Sequence, residues 1–350
     1  MRRAQGQPSG MSSKGSTLLD VAKAADVSIA SASRAINGLD NVTADVRARV
    51  LEAASKLRYV PHWGARSLVM SRTNTIGLLL PDIYGEFFSE IIRGVDVAAR
   101  ARGLHLLVSG SHGDLSEAVV AVRAMSGRVD GLLVMSPFVE SEDLAAVLPL
   151  NLPLVTIASR IGANQHSAIT VDNFEGGRTA VRHLAAVGCR SIAHISGPWQ
   201  NFEAQERRRG FEAGMAEHMP GVHMRVHEGD FTEESGYAAV HAFLASGSLP
   251  DGVFAGNDMM AVGALLAFKE AGLRVPQDVA VMGFDDIPIV RFTSPPLSTL
   301  RVGVYEMGRQ GLEMLVSAFE DNAEAMHRSV VITPELVVRE SSARRSELTG

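Results

Sequence analysis

The chain has 350 residues, 46% of them apolar and 21% charged, and no apolar run approaches the roughly 20 residues that a membrane-spanning helix needs. Its single cysteine, Cys189, excludes an internal disulfide and a cysteine zinc cluster. The net charge of −6 is unevenly divided: ten Lys/Arg against five Asp/Glu through Met70 give +5, leaving −11 for the rest. A basic end on an acidic body suits a polyanion binder, because only one end is drawn to the phosphates.

Residues 1–16 read as a flexible tail; the opening MRRAQGQPSGMSSKGS is basic and lacks the apolar stretch of a secretory signal, so a cytoplasmic protein with no membrane partner is expected. Residues 17–60 carry short helical patterns and no strand signal. Thr17 is placed to cap a helix over Leu18–Ala25, with Asp20 completing a variant capping box and Leu18, Val21, Ala22 and Ala25 on one face. A tight break at Asp26-Val27 follows. Ser28 then caps a second helix, Ile29–Ile36, which Asn37-Gly38 ends. Thr43 caps a third, with Val46, Val50, Ala53, Ala54 and Leu57 on its inward stripe. Two short helices joined by such a turn make a helix-turn-helix, whose second helix enters the DNA major groove. The spacing alone also fits any small three-helix bundle.

From Asn74 onward, strand-like runs alternate with helices. TIGLLLPD precedes a helix over Phe87–Arg102, HLLVSGS one over Leu115–Met125, and DGLLVMSP leads to LPLVTIAS and SAITVDN. Helices over Glu175–Val187, Ala204–Glu217, Glu233–Leu244 and Met259–Ala271 then alternate with RSIAHISGP, VHMRVHEGD, DGVFAGND and VAVMGFDD. This order predicts an α/β protein with parallel sheets covered by helices. So many strands exceed one sheet and imply two lobes, with sites at the strand carboxyl ends.

The wording of the N-terminal segment is far more specific than its spacing. DVAKAADVSIASASRAIN and VTADVRARVLEAASKLRYVPHWGARSL resemble the headpiece of the lactose-repressor (LacI/GalR) family almost end to end, and ITVDN, AHISGP, RRRGFEAGM, GNDMMAVGAL, VPQDVAVMGFDD and PPLSTLR resemble its core. The resemblance runs from about Thr17 to Glu340. It implies a sequence-specific DNA-binding regulator, most simply a repressor, with an all-α headpiece and a two-lobed periplasmic-binding-protein-like core.

By that resemblance Ile29, Ala30 and Arg34 occupy base-reading positions. Arg34, the only long donor on that face, can bond guanine bidentately, whereas Ile29 and Ala30 offer apolar contact, for instance to thymine methyls, or helix packing instead. Ser28, Ser31, Ser33 and Asn37 suit phosphate contacts or caps. Tyr59 packs the third helix, and its hydroxyl offers a phosphate contact. Residues His62–Met70 match the family's hinge helix, which orders on operator DNA; Leu68 falls at the intercalating position and Ala65 one turn earlier, the alternative being a plain linker. Three residues depart from the pattern: Asp26 stands for the turn glycine, His62 for an asparagine, and Gly64 weakens the hinge by roughly 1 kcal/mol relative to alanine.

No catalytic motif, cofactor site or metal cluster is expected; His223 and His227 lie on a strand-like segment and read as scattered surface histidines. Polar residues at strand ends stand out instead: Asp82, Arg160, Asp172, Arg207, Asn257, Asp258 and Asp285. Acids, an amide and an arginine across a crevice suit vicinal hydroxyls. The resemblance places Arg207, Phe231, Asn257 and Asp285 in an effector pocket, and Asp82 and Arg160 less directly; each also has a structural alternative, a cap or an ion pair. Ala158-Ser159-Arg160 departs from the family's usual DR or NR, which changes the hydrogen bonds offered to a ligand.

The resulting organisation is a tail 1–16, a helix-turn-helix domain 17–61, a hinge 62–73, a first lobe 74–171 with 301–331, a second lobe 172–300 with 332–340, and a tail 341–350. The expected partners are double-stranded operator DNA, a sugar-like small-molecule effector and a second copy of the chain. The ending ELVVRESSARRSELTG has no apolar seam for a tetramerising bundle, so the assembly is expected to stop at a homodimer. The alternative is an extracytoplasmic sugar-binding protein, which shares the two-lobed body; the headpiece argues against it.

Overall fold

A computed structural model describes residues 16–59, 72–138, 152–159, 166–320 and 328–343, together with 144, 146 and 148. The expectations for the two tails fall almost wholly outside the described residues, as do those for Ala65, Leu68 and most of the hinge, and for Arg160. The chain divides into two compact units between Thr73 and Asn74.

The first unit is built on α1 (Leu18–Ala24), α2 (Ile29–Ile36) and α3 (Ala44–Lys56). Thr17 and Asp20 form the capping box: the Asp20 amide donates to Thr17 Oγ1 at 3.3 Å and the Thr17 amide to Asp20 Oδ2 at 2.9 Å. Asp26 carries the turn at φ 53°, the left-handed conformation that aspartate tolerates better than most residues. Val21, Ala22, Ala25, Ala32, Ala35, Val50 and Ala53 form the core, and the many alanines let the three helices approach closely. Two headpiece cations are spent on structure. Arg47 donates to the carbonyls of Ala35 (3.3 Å) and Leu39 (2.7 Å), and Arg49 to that of Ala25 (3.1 Å), at the helix ends where the dipole favours positive charge.

The second unit holds two parallel sheets. Strands β1 (Thr75–Leu80), β2 (His105–Gly110), β3 (Gly131–Val134), β4 (Leu154–Ile157), β5 (Ser167–Val171) and the late β11 (Ser329–Ile332) form the first, in the order β11-β5-β4-β3-β1-β2. Strands β6 (Ile192–Ser196), β7 (Arg225–Glu228), β8 (Gly252–Ala255) and β9 (Ala280–Met282) form the second, ordered β7-β6-β8-β9. β10 (Thr299–Arg301) pairs antiparallel with β12 (Glu335–Val337), Leu300 opposite Leu336. The central strands TIGLLL and IAHIS are buried nearly throughout, as strands covered on both faces must be.

The covering helices come in nested pairs. α4 (Glu86–Arg100) and α5 (Leu115–Met125) follow β1 and β2; α6 (Asn173–Ala186), α7 (Phe202–His218), α8 (Glu233–Ala245) and α9 (Asp258–Glu270) belong with the second sheet; α10 (Val304–Glu320) returns to the first. In α4–α10, α6–α7 and α8–α9 each partner contributes a glycine at the crossing. A Cβ on Gly94, Gly210 or Gly263 would overlap the backbone carbonyl oxygen of Tyr305, Phe174 or Glu233, and one on Gly308, Gly177 or Gly236 that of Ile91, Arg207 or Met260. Glycine costs a helix about 1 kcal/mol relative to alanine, and here that cost allows backbone-to-backbone contact.

Candidate functional site

In the first unit the side chains of Ile29, Ala30 and Arg34 are exposed on one face of α2, while Ala32 and Ala35 face the core. Ile29, a large apolar residue, is 50% exposed, so packing within the headpiece does not account for it. The short polar residues are engaged locally. Ser28 Oγ accepts from the Ser31 amide at 3.0 Å as the N-cap and lies 2.9 Å from Ser31 Oγ, and Asn37 Nδ2 donates to Ser33 Oγ at 3.4 Å. Tyr59 packs against the headpiece core beside Leu57.

In the second unit, loops at the carboxyl ends of both sheets enclose a cavity of about 570 Å³. Asp82 follows β1, Phe231 follows β7, Asn257 follows β8 and Asp285 follows β9, and all four line the cavity with Arg207 of α7. Five of the six expected effector residues are thus together; Arg160 lies outside the described residues.

Arg207 is 7% exposed and anchors the floor. Its Nε donates to Asn173 Oδ1 at 2.6 Å, its Nη1 donates to the Gly256 carbonyl, and its guanidinium lies 3.8 Å from the centre of the Phe284 ring. Asn173 also donates to Glu203, itself buried. Phe231 sits at φ 72°, and its carbonyl accepts from Asn257 Nδ2 at 2.9 Å, while Asn257 Oδ1 caps α9 by accepting from the Met260 amide at 2.9 Å. Its ring lies over Gly197, where a Cβ would collide with it. Asp82 is exposed, and its Oδ1 accepts from the amides of Ile83 (2.6 Å) and Tyr84 (3.0 Å).

Asp285 differs from these. It is 4% exposed, sits at the strained φ of 115°, and no described residue donates a hydrogen bond to its carboxylate. Burial pushes its pKa up to about 7; the nearby Arg207 charge pulls it down and Glu203 pushes it up further. A folded value above the ordinary 3.8 means that folding is favoured with the proton on, so stability falls as pH rises from about 3.8 to about 7. Buried His194, stacked on Phe211 and Phe254, has the opposite sign: burial lowers it from 6.5 to about 4, so it gives stability above pH 6.5 that is lost on acidification. Because the two slopes oppose each other below pH 6.5, the Asp285 contribution is best read as a difference. The melting temperature of Asp285→Asn minus that of the wild type is expected to climb from pH 4 to pH 7 and level off above it. A difference that stays flat across this range would show that the carboxyl holds no proton there.

Two residues at strand ends take structural roles. Asp172 caps α6, accepting from the Glu175 amide at 2.9 Å. Asp258 is fully buried and accepts from Thr299 Oγ1 (2.6 Å) and the Ile287 amide (3.0 Å). Sequence reading missed Asn173, Glu203, Asn201 and the aromatic wall Tyr84, Phe87, Phe88 and Phe138. For Asn173 the signal was present, one residue past the aspartate that was chosen.

The profile described as bacterial regulatory proteins, lacI family, matches residues 17–62, and the periplasmic binding protein-like domain matches residues 181–342. The HTH-type transcriptional repressor PurR of Pectobacterium carotovorum is 37% identical over 335 residues, covering 93% of this chain and 97% of that protein. The ribose operon repressor of Haemophilus influenzae is 33% identical over 330 residues, covering 93% and 98%. Among solved structures, the lac repressor dimer bound to operator and the anti-inducer ONPF is similar with a TM-score of 0.82 at 27% identity, covering 95% of this chain and 100% of that one.

Proposed function

The chain belongs to the lacI family of bacterial regulatory proteins, DNA-binding transcriptional repressors with an effector-binding core, and from that premise we propose that it works as a homodimer released from or held on operator DNA by a sugar-like ligand in the cleft. The observation that carries the cleft reading is Asp285: a buried carboxylate that faces a cavity and has no donor among the described residues is placed to accept from ligand donors. Arg207, Phe231, Asn257 and Asp82 complete the set, the arginine and amide giving polar contacts and the Phe231 ring a stacking face. Ligand binding alters the closure of the two lobes, and closure biases whether the hinge segment with Ala65 and Leu68 orders on the operator. No catalytic step is required, and the site of action is the cytoplasm, with the DNA. Among the described residues no helix is long and apolar enough to cross a membrane.

The DNA side rests on the exposed face of α2. A dimer should bind a palindromic duplex with strongly salt-dependent affinity, since two headpieces meet two half-sites and many phosphates. Arg34→Ala is expected to lose discrimination at one base pair per half-site by about 1–3 kcal/mol while the headpiece stays folded, because Arg34 is exposed and its side chain bonds to no described residue. Operator selection with the wild type and the variant tests both statements. Recovery of the same motif with the same affinity would remove Arg34 from base reading.

A further inference from the structure

Resting on the cleft reading above for the role of Asp285, we infer that its neighbour Asp286 is a positioning residue: it clasps the ribbon that joins the two parallel sheets, and so ties the ligand-facing carboxylate to the angle between them. The ribbon is the antiparallel pair β10–β12. Strand β10 takes the chain from the second sheet towards α10, which packs on β3, β4 and β5 of the first. Strand β12 carries it back from β11 of the first sheet to Ser341, whose amide and hydroxyl neighbours are Ser298 and Val281 of the second. A change in the angle between the sheets works through this ribbon and the passage from β5 to α6.

Asp286 grips both strands of the ribbon. Its side chain is 1% exposed, and Oδ2 accepts from Arg301 Nε of β10 at 2.6 Å while Oδ1 accepts from Arg339 Nη2, just past β12, at 2.5 Å. Arg301 also reaches Glu335 Oε2 across the ribbon at 3.5 Å, and Arg339 Nη1 donates to the Leu297 carbonyl at 2.7 Å. Arg291 adds a third positive charge at 3.8 Å. A buried ion pair loses in desolvation much of what it gains in attraction, so its contribution is to geometry more than to stability. The geometry it defines here is the seating of the ribbon on the second sheet.

The backbone serves the same end. Asp285 and Asp286 stand consecutively at φ 115° and 58°, left-handed conformations that persist only where the surrounding structure enforces them. The Asp285 amide donates to the Leu300 carbonyl at 2.8 Å, which hangs the ligand-facing residue directly on β10. Further along, the Ile287 amide donates to Asp258 Oδ2 at 3.0 Å and the Ile289 amide to Glu86 Oε2 at 2.9 Å. From Asp285 to Ile289 the chain thus meets the cavity, the ribbon, α9 of the second sheet and the start of α4 on the first. With the clasp broken, the ribbon keeps its pairing but pivots on the second sheet.

The test needs no ligand. Spin labels on Arg123→Cys in α5 and Lys269→Cys in α9, both exposed positions, report the distance between the sheets in the full chain. Unlabelled chain in excess lets each labelled copy be read alone, and buried Cys189 stays unlabelled. The wild type is expected to give one narrow distance peak. Asp286→Asn should raise the share of a second, open arrangement roughly tenfold, the factor set by losing a hydrogen bond to a charged group, and so broaden the distribution. Asp278→Asn, which breaks the Arg274 pair away from the ribbon, is the control and should match the wild type. Should Asp286→Asn fail to fold, Arg301→Gln releases β10 alone and should broaden the peak less. Wild-type widths in the folded clasp variants, or equal broadening in Asp278→Asn, overturn the inference. Repeating the wild-type measurement with glucose, galactose, ribose, maltose and cellobiose tests the cleft reading separately. Distances that none of these sugars moves count against that reading, while the ligand-free widths still decide the clasp.

Discussion

Gly210→Ala, Gly263→Ala and Gly94→Ala are each expected to destabilise the protein by about 3 kcal/mol, the upper range for overpacking a well-filled interior. Each new Cβ would sit inside the contact radius of a carbonyl oxygen on the partner helix, and that oxygen belongs to rigid helical backbone. Neither backbone can give without separating the helices, which strips contacts along the whole crossing. The gain of about 1 kcal/mol in helix propensity offsets only part of this. Gly311→Ala in α10 is the control: its Cβ meets Ile157 Cδ1 at 3.0 Å and Leu133 Cδ2 at 3.5 Å, the ends of side chains that can move. Urea unfolding of the four variants should separate them cleanly. Losses below about 1 kcal/mol at the three crossing glycines would mean that the helices are not held at backbone contact.

These glycines show what was legible and what was not. The alternation of apolar strands with helical stretches exposed the α/β plan, because a strand buried on both faces has a distinctive run of side chains. The helix ends were readable within one or two residues where a cap announces them, as Thr17, Ser28 and Thr43 do. The pairing of helices was not. A glycine inside a helical stretch signals close packing by its cost, yet nothing local names the partner, which for Gly94 lies in a helix more than two hundred residues away.

The site was legible to the same degree. Asp172 and Asn173 are adjacent polar residues at one strand end, and a cap and a cleft residue have the same chemistry in one dimension; only the fold shows that the aspartate caps α6 while the asparagine reaches Arg207. Asp258 follows Asn257 in the same way and turns inward to Thr299. Arg47 and Arg49 entered the charge count as part of a polyanion-binding end, but both donate to helix carbonyls, so the phosphate-facing charge is smaller than composition suggests. The late strands β10, β11 and β12, of three or four residues each, were hardest to see, because so short a strand carries little pattern.

Asp285→Asn is expected to move the effector response to ligand concentrations about ten- to a hundredfold higher while leaving operator binding within about twofold of the wild type. The substitution keeps the shape of the side chain, and asparagine tolerates the φ of 115° about as well as aspartate. It removes the charge that burial opposes, so above pH 7 the variant should be the more stable protein, by a few kcal/mol at most. A residue whose ionised form costs folding energy and which no described neighbour bonds is retained for something other than stability. What the variant loses is an acceptor: an amide presents one oxygen and two donors where the ligand's hydroxyls require two oxygens. Losing a charged hydrogen bond of about 1.5–3 kcal/mol weakens binding on the order of ten- to a hundredfold. Arg207→Ala should weaken the response as well, but it also strands Asn173 and the Gly256 carbonyl, so its effect mixes site and scaffold. Asp285→Asn separates the two, and a melting curve, an operator titration and an effector titration on the same preparation give all three readouts. An effector response equal to that of the wild type in a variant of raised stability would move Asp285 out of the ligand site and leave its strained, buried carboxylate without a role.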